Sequence, residues 1–407
     1  MARIVILGPN QLGSNPRLVR NADCLAAAGH DVTVIYPDHL ARFRGHDDAL
    51  IAAARWKTVA LDFCRTPRGR LHARFARLRR RLAEKLPLSS DFARNRAYGY
   101  FGPELARAAR TVPADLYLAQ QQMVVLPAVA AAQTHRARFA VDVEDLVSDC
   151  TDEPTALVRA IEDRHLPRAA FLTTMSDAAA DRLAELHRLQ RPPVVLHNCM
   201  TLAERAALPP PAARPVHAPL ALYWFGQTVG PHACAEVILR AIATLPFPAR
   251  LTLRGANPRP DYLAQLRTLA TELRIPDALA LAPGAPPRDM VPLAGEHDIC
   301  FGTQPGTQLF HQLAVGNKVF TGMMAGCALA LTDTAAHRRL LAAHDGWAFT
   351  FSNDDPLTLA DQLTQLAGTP GRLTALRDRA WSLATDIYNW ETESSRLVAA
   401  VREILPA

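Results

Sequence analysis

Paired cysteines are what this 407-residue chain most plainly lacks: its seven cysteines (24, 64, 150, 199, 234, 300 and 327) are scattered and none forms Cys-x-x-Cys. That suits reduced thiols in a cytoplasmic protein, and neither a disulfide framework nor a zinc site. Paired carboxylate or histidine motifs are missing too, so no metal is expected. No apolar run approaches the roughly 18 residues that span a bilayer. The longest, Met123–Ala132, contains Pro127, and Ile4–Leu7 ahead of Gly8-Pro9 is too short for a signal-peptide core. Lysine is nearly absent (Lys57, Lys85 and Lys318 only), aromatics make up 6%, and no nucleic-acid motif appears. Nucleic acid is therefore not expected as a partner. No GxGxxG follows the first strand and no Walker lysine is present, which argues against a dehydrogenase.

What is present is a 49% hydrophobic composition, enough for two or three globular domains with ample cores. The charge is uneven. Residues 1–200 hold 28 basic and 21 acidic side chains; residues 201–407 hold 17 and 18. The excess lies between Arg65 and Lys85, with nine basic residues and one acid, Glu84. Within this stretch Leu71, Phe75, Leu78, Leu82 and Leu86 recur at helical spacing, with arginines flanking them. Such a basic amphipathic helix over 68–86 either lies on an anionic membrane or packs its stripe on its own domain.

Strand and helix patterns alternate along the chain, as in right-handed βαβ units with a parallel sheet covered on both faces. Residues 1–200 read as one Rossmann-like domain and 220–385 as a second. The proline-rich stretch 201–219 reads as a stiff linker, and 386–407 as a closing helix. The fold class is therefore α/β, two doubly wound parallel-sheet domains facing a cleft, with ligands beyond the carboxyl ends of the strands. Gly8 to Arg17 follows the first strand and opens a helix, so Gly13 and Ser14 either present main-chain amides to an anion or make a plain turn. In the second half Gly226, Gly255 and Gly316 each follow a strand or open a helix beside Asn317 and Lys318, where a diphosphate would fit.

Several runs resemble one family. Gly13-Ser14-Asn15-Pro16-Arg17, Leu25 and Gly29-His30-Asp31-Val32 are similar to the opening of bacterial GT-B glycosyltransferases of the large retaining nucleotide-sugar family 4. Asp142-Val143-Glu144-Asp145-Leu146, Met175-Ser176, His197-Asn198, Trp224-Phe225-Gly226-Gln227, Asp298-Ile299, Asn317 to Gly326 and Trp390-Glu391 follow in the family's order. The resemblance implies a GT-B fold whose closing helix returns to the first domain. It implies a nucleotide diphosphate sugar as co-substrate, no metal, and a donor site mainly on the second domain. Gly316 matches the glycine whose loop holds the diphosphate. The departures are Gln227 and Ala233 where the family carries an Arg and a Lys, and Leu313 and Thr321 where it carries two glutamates. Glu144 stands where a histidine often follows the acidic strand.

The expected activity is transfer of a sugar, with retention, to a glycan or lipid-linked acceptor in cell-surface polysaccharide or glycoconjugate synthesis. The protein would be cytoplasmic, at the inner face of the membrane. Asp142 or Glu144 would approach the oxocarbenium-like centre or orient the acceptor hydroxyl. Thr321 would bond a ribose hydroxyl and Gln227 would be a neutral donor. The cation for the diphosphate would come from Lys318 together with Arg254, unless Lys318 is a plain surface lysine. Rival readings are a degenerate, transferase-like subunit that stabilises an active partner, and a UDP-sugar epimerase of the same fold.

Overall fold

The structure is a computed structural model that describes residues 1–151, 153–369 and 371–405. It divides into two compact units, one of residues 1–196 with the chain from Ser394 onward, the other of His197–Glu393. Residues 201–219 thus belong to the second unit.

The first unit is built on a seven-stranded parallel sheet. Its strands are β1 (Arg3–Leu7), β2 (Asp31–Asp38), β3 (Lys57–Asp62), β4 (Leu116–Gln120), β5 (Arg138–Val143), β6 (Leu172–Thr174) and β7 (Val194–Val195), in the order 3-2-1-4-5-6-7. Near-continuous apolar runs make β1 and β4 buried on both faces, as central parallel strands must be. Ile4, Ile6, Val34 and Leu118 pack with Leu18 and Leu25 of the helix Pro16–Ala27. The last helix, Trp390–Ile404, contributes Leu397, Val401 and Ile404 to the same core.

The second unit holds a six-stranded parallel sheet of β8 (Leu220–Val229), β9 (Ala249–Pro258), β10 (Leu279–Pro283), β11 (Ile299–Gly302), β12 (Ala328–Thr332) and β13 (Ala348–Phe351), in the order 10-9-8-11-12-13. Its core joins Leu222, Trp224, Leu251, Leu253 and Phe301 to Ile238, Leu266 and Leu359. In both sheets the strand order reverses beside the first strand, between β1 and β4 and between β8 and β11. Open parallel sheets bind ligands beyond the carboxyl ends of the strands at that reversal.

Three local features differ from the sequence pattern. The stretch 92–110, helical in its residue pattern, forms two helices, Asp91–Ala97 and Gly102–Arg110, because Gly99 takes φ +75° between them. Gly226 and Gly255 lie inside strands: β8 and β9 run on, paired, to Val229 and Pro258. The basic helix, Pro67–Ala83, turns Gly69, Ala73, Ala76 and Ala83 inward and leaves its leucines in solvent. No helix among the described residues is long and apolar enough to cross a membrane.

Candidate functional site

Asp142 ends β5 at the carboxyl edge of the first sheet, completely buried. Arg17, also buried, meets it in a two-pronged pair, Nε to Oδ2 at 2.7 Å and Nη2 to Oδ1 at 2.9 Å. Thr173 donates to Oδ1 at 2.7 Å, and Gln120 and Asn21 donate to Oδ2 at 2.6 and 3.3 Å. Burial alone would push this carboxyl up; Arg17, Thr173 and Gln120 outweigh it and hold Asp142 below the usual range. A carboxylate has about four lone-pair sites, and these donors fill them. Asp142 is therefore the anchor of a closed network, and the expectation that it approaches a substrate is corrected. The third guanidinium nitrogen of Arg17 donates to Leu196 O at 2.7 Å, so the pair ties the helix Pro16–Ala27 to three strand ends.

Glu144, two residues on, is half-buried and only partly engaged. Gln121 Nε2 donates to its Oε2 at 2.9 Å. Gln121 holds φ 72°, ψ 165°, a backbone region that side-chain-bearing residues rarely enter and that recurs at functional sites. On either side Gln120 grips Asp142, and Gln122 grips Asp145 O and Glu162 Oε1 at 2.6 and 3.2 Å. Three successive glutamines at the end of β4 thus hold the 142–145 segment. Sequence reasoning passed over them; the signal available was the polar run after a buried strand. Desolvation, with smaller pushes from Asp145 and Asp142 against the pull of Arg17, raises the Glu144 carboxyl to about 7. Because the folded value lies above the ordinary one, the stability held by the protonated form is present in acid and lost as pH rises through 7. Glu144→Gln is therefore expected to raise the melting temperature at pH 8 relative to wild type and to leave it little changed at pH 5, read by calorimetry at both pH values.

The loop after β1 is closed onto its own unit. Gly13 N–H donates to Asp47 Oδ1 at 2.7 Å, and Ser14 N–H and Oγ both donate to Gln11 O. A Cβ on Gly13 would stand 2.7 Å from His46 Cδ2 and 2.9 Å from Asp47 Oδ1. Gln11 in turn bridges the buried carboxyl groups of Asp38 and Asp47. Amides already occupied, beside two carboxylates, make a poor anion cradle. Gly13 serves the close approach of the 46–47 segment, which corrects the assignment of Gly13 and Ser14 to a diphosphate.

In the second unit the reversal point lies between β8 and β11. The indole of Trp224 crosses Gly226, where a Cβ would come within 2.6 Å of it. Its Nε1 donates to Thr303 Oγ1 at 2.7 Å, and that hydroxyl donates to His232 O at 2.9 Å. The His232 and Trp224 rings stand 5.4 Å apart. Lys318 Nζ lies 5.1 Å from the indole centroid, a cation–π contact. Lys318 opens the helix Asn317–Ala325, whose close packing on the sheet needs Gly322: a Cβ there would be 2.9 Å from Cys300 Cβ. Among the described residues Lys318 has no ion pair or hydrogen bond. Burial lowers its pKa, opposed only by the thiols of Cys300 and Cys234. Burial, then Lys318, also lowers His232.

Gly316 caps that helix and Asn317 is exposed at its first turn, so Gly226, Gly316, Asn317 and Lys318 come together. The other candidates have settings of their own. Arg254 pairs in register with Phe225 and bonds Tyr223 Oη at 2.9 Å and Pro283 O at 2.8 Å. Tyr223, Phe225 and Gln227 point to the face opposite Trp224. Arg254 thus has partners of its own in Tyr223 and Pro283, whereas Lys318 reaches the indole of Trp224. Thr321 is buried and offers no hydroxyl at the surface. His232 and Thr303 are additions that the glycine pattern did not single out.

Residues 13–199 match the family described as Glycosyl transferase 4-like domain. No curated protein matches the chain by sequence. Among solved structures, HepE of Anabaena, in complex with UDP and glucose, superposes with a TM-score of 0.71 at 13% identity, over 99% of this chain and all of its own. A glycosyltransferase of Rickettsia africae gives 0.69 at 12%, over 99% and 98% of the two chains. Sucrose-phosphate synthase of Thermosynechococcus elongatus gives 0.69 at 13%, over 99% of each. Two parallel-sheet units, the first of them matching that domain, have the GT-B fold of these glycosyltransferase structures. Within that class the chain is similar to the large family 4 of nucleotide-sugar-dependent enzymes.

Proposed function

We propose that the protein moves a sugar from a nucleotide diphosphate sugar, with retention, to a glycan or lipid-linked acceptor in the synthesis of a cell-surface polysaccharide or glycoconjugate. The observation that carries this reading is Lys318. A desolvated cation without an anionic partner is costly unless a ligand supplies the anion. Here it stands at a helix N-terminus, beyond the carboxyl end of a parallel sheet, beside main-chain amides at Gly316 and Asn317. A diphosphate supplies what the site lacks, and leaving-group charge is what such a site must stabilise as a glycosidic bond breaks. These groups do this without a metal. The UDP in the HepE structure supports the choice of ligand. Glu144, on the first unit, accepts the acceptor's hydroxyl proton in a hydrogen bond and orients it. Activity is then expected to rise through about pH 7 as Glu144 ionises, and Glu144→Gln to flatten that limb of the profile.

The closed Gly13 loop and buried Thr321 favour a second reading, a degenerate subunit that stabilises an active partner. One experiment separates the two. A thermal-shift screen with UDP, GDP, ADP, CMP and TDP species, followed by calorimetry on the hit, should find one nucleotide diphosphate that raises the melting temperature with the logarithm of its concentration. No response to any of them would favour the subunit. Product analysis with the sugar form of the hit but no acceptor would expose an epimerase.

The acceptor reading places the protein on the cytoplasmic side, at the inner face of a membrane, with 68–86 toward anionic lipid.

A further inference from the structure

The basic helix Pro67–Ala83 is set in one rotation by its small residues. A Cβ on Gly69 would stand 2.7 Å from Asp62 Cγ, and Ala73, Ala76 and Ala83 are buried along the same line. Thr66 caps the helix by accepting from Gly69 N–H, while its hydroxyl donates to Asp62. Only small side chains fit on that line, so the leucine stripe cannot turn inward. Leu71, Phe75, Leu78, Leu82 and Leu86 are each between 52% and 62% exposed. Four of these lie on one line of the surface helix and Leu86 follows just past its end, an exposed apolar patch of the kind that marks an interaction site.

The charges around this stripe are one-sided. At 100° per residue, Arg70, Arg74, Arg77 and Arg81 fall along one flank, and Lys85 follows just past the helix end. On the other flank His72 and Arg79 are both taken by Glu104, at 3.1 Å and 2.5 Å. Glu84 is taken by Arg80 at 2.6 Å. Among the described residues the side chains of Arg74, Arg81 and Lys85 have no ion pair or hydrogen bond, and that of Arg70 donates only to main-chain carbonyls. The acids near the helix are therefore neutralised, while the cations beside the leucines stay open to solvent.

We propose that this helix lies on an anionic lipid bilayer, its leucine stripe among the acyl chains and the Arg70–Lys85 flank on lipid phosphates. The mixture favours a bilayer. A protein or second copy would have to match a stripe of leucines with a row of acids, whereas an anionic leaflet offers apolar depth and phosphate along the whole helix at once. Nucleic acid would satisfy the arginines and leave the leucines in water. This deepens the acceptor reading and rests on it for its biological meaning, since a surface-held transferase meets lipid-linked acceptors without their leaving the membrane. The docking itself is measured with no sugar donor present, so its failure leaves the transferase reading standing.

The test is co-sedimentation of the full chain with vesicles of phosphatidylcholine, with and without phosphatidylglycerol. Binding is expected only with the anionic lipid and should fall with added salt. Arg74→Gln and Arg81→Gln should each weaken it about fivefold, since each basic residue near such a surface contributes roughly equally. Leu78→Ser with Leu82→Ser should abolish it while leaving the melting temperature and monomer size unchanged, because the stripe is exposed. Equal binding to neutral vesicles, or variants that bind like wild type, would overturn the proposal. So would stripe variants that melt lower or change oligomeric state, because protein would then be covering the stripe.

Discussion

Replacing Lys318 with alanine should weaken binding of the nucleotide diphosphate by about 10- to 150-fold. A charge-assisted hydrogen bond contributes about 1.5–3 kcal/mol, and Lys318 is the cation at the site where Gly316 and Asn317 open a helix. Calorimetric titration of wild type and variant checks this directly. Two comparisons sharpen it. Arg254→Ala should cost much less affinity, because its guanidinium is already held by Tyr223 Oη and Pro283 O. Lys318→Met should lose affinity yet melt at or above the wild-type temperature, since replacing a half-buried, unpaired charge by an apolar chain of similar length relieves desolvation. A lysine of no functional consequence would give the stability gain without the affinity loss. Unchanged affinity in Lys318→Ala would remove the central support for a diphosphate here.

The second large effect is on folding. Asp142→Ala leaves the Arg17 guanidinium buried without its carboxylate, with Gln120, Asn21 and Thr173 losing an acceptor at the same time. Breaking a buried pair from one side costs about 3–5 kcal/mol, a large share of the roughly 5–15 kcal/mol that holds a domain folded. Denaturant unfolding of the variant should show that loss. The double variant Arg17→Met, Asp142→Leu should recover most of it, because neither charge is then left alone; a double-mutant cycle measures the coupling. The pH dependence has a definite sign. Asp142 titrates below its ordinary range when folded, so its contribution is complete above the unfolded pKa and is lost as pH falls through the folded value. Wild type should lose this contribution in acid, and the double variant should not.

Much of the architecture was legible in the chain, and the reason is local. Buried strands of a parallel sheet carry apolar runs, and the intervening helices carry 3.6-residue periodicity and caps, so β1 and β5 have the ends their residues suggest. Strand β13 escaped because its pattern is short and only its last residue, Phe351, is buried. The glycines were visible as residues but not as roles. Gly13 was read as a place for a ligand and instead admits the side chain of Asp47, while Gly226 admits the indole of Trp224 on which Lys318 rests; no local pattern announces either contact.

The sequence by itself determined the alternating elements, the acidic segment 142–145, the lysine at the start of a late helix, and a basic helix with a leucine stripe. Tertiary structure alone decided what each would do. Arg17 and Asp142 are 125 residues apart, and only the sheet order brings them into contact, turning the more conspicuous acid into a structural anchor and leaving Glu144 as the available one. The fold gave Arg254 partners in Tyr223 and Pro283 and set Lys318 against Trp224, and a row of small residues turned the leucines outward. Local periodicity reports which side of an element is apolar; which neighbour meets that side depends on packing between distant segments, where burial and charge pairing settle it.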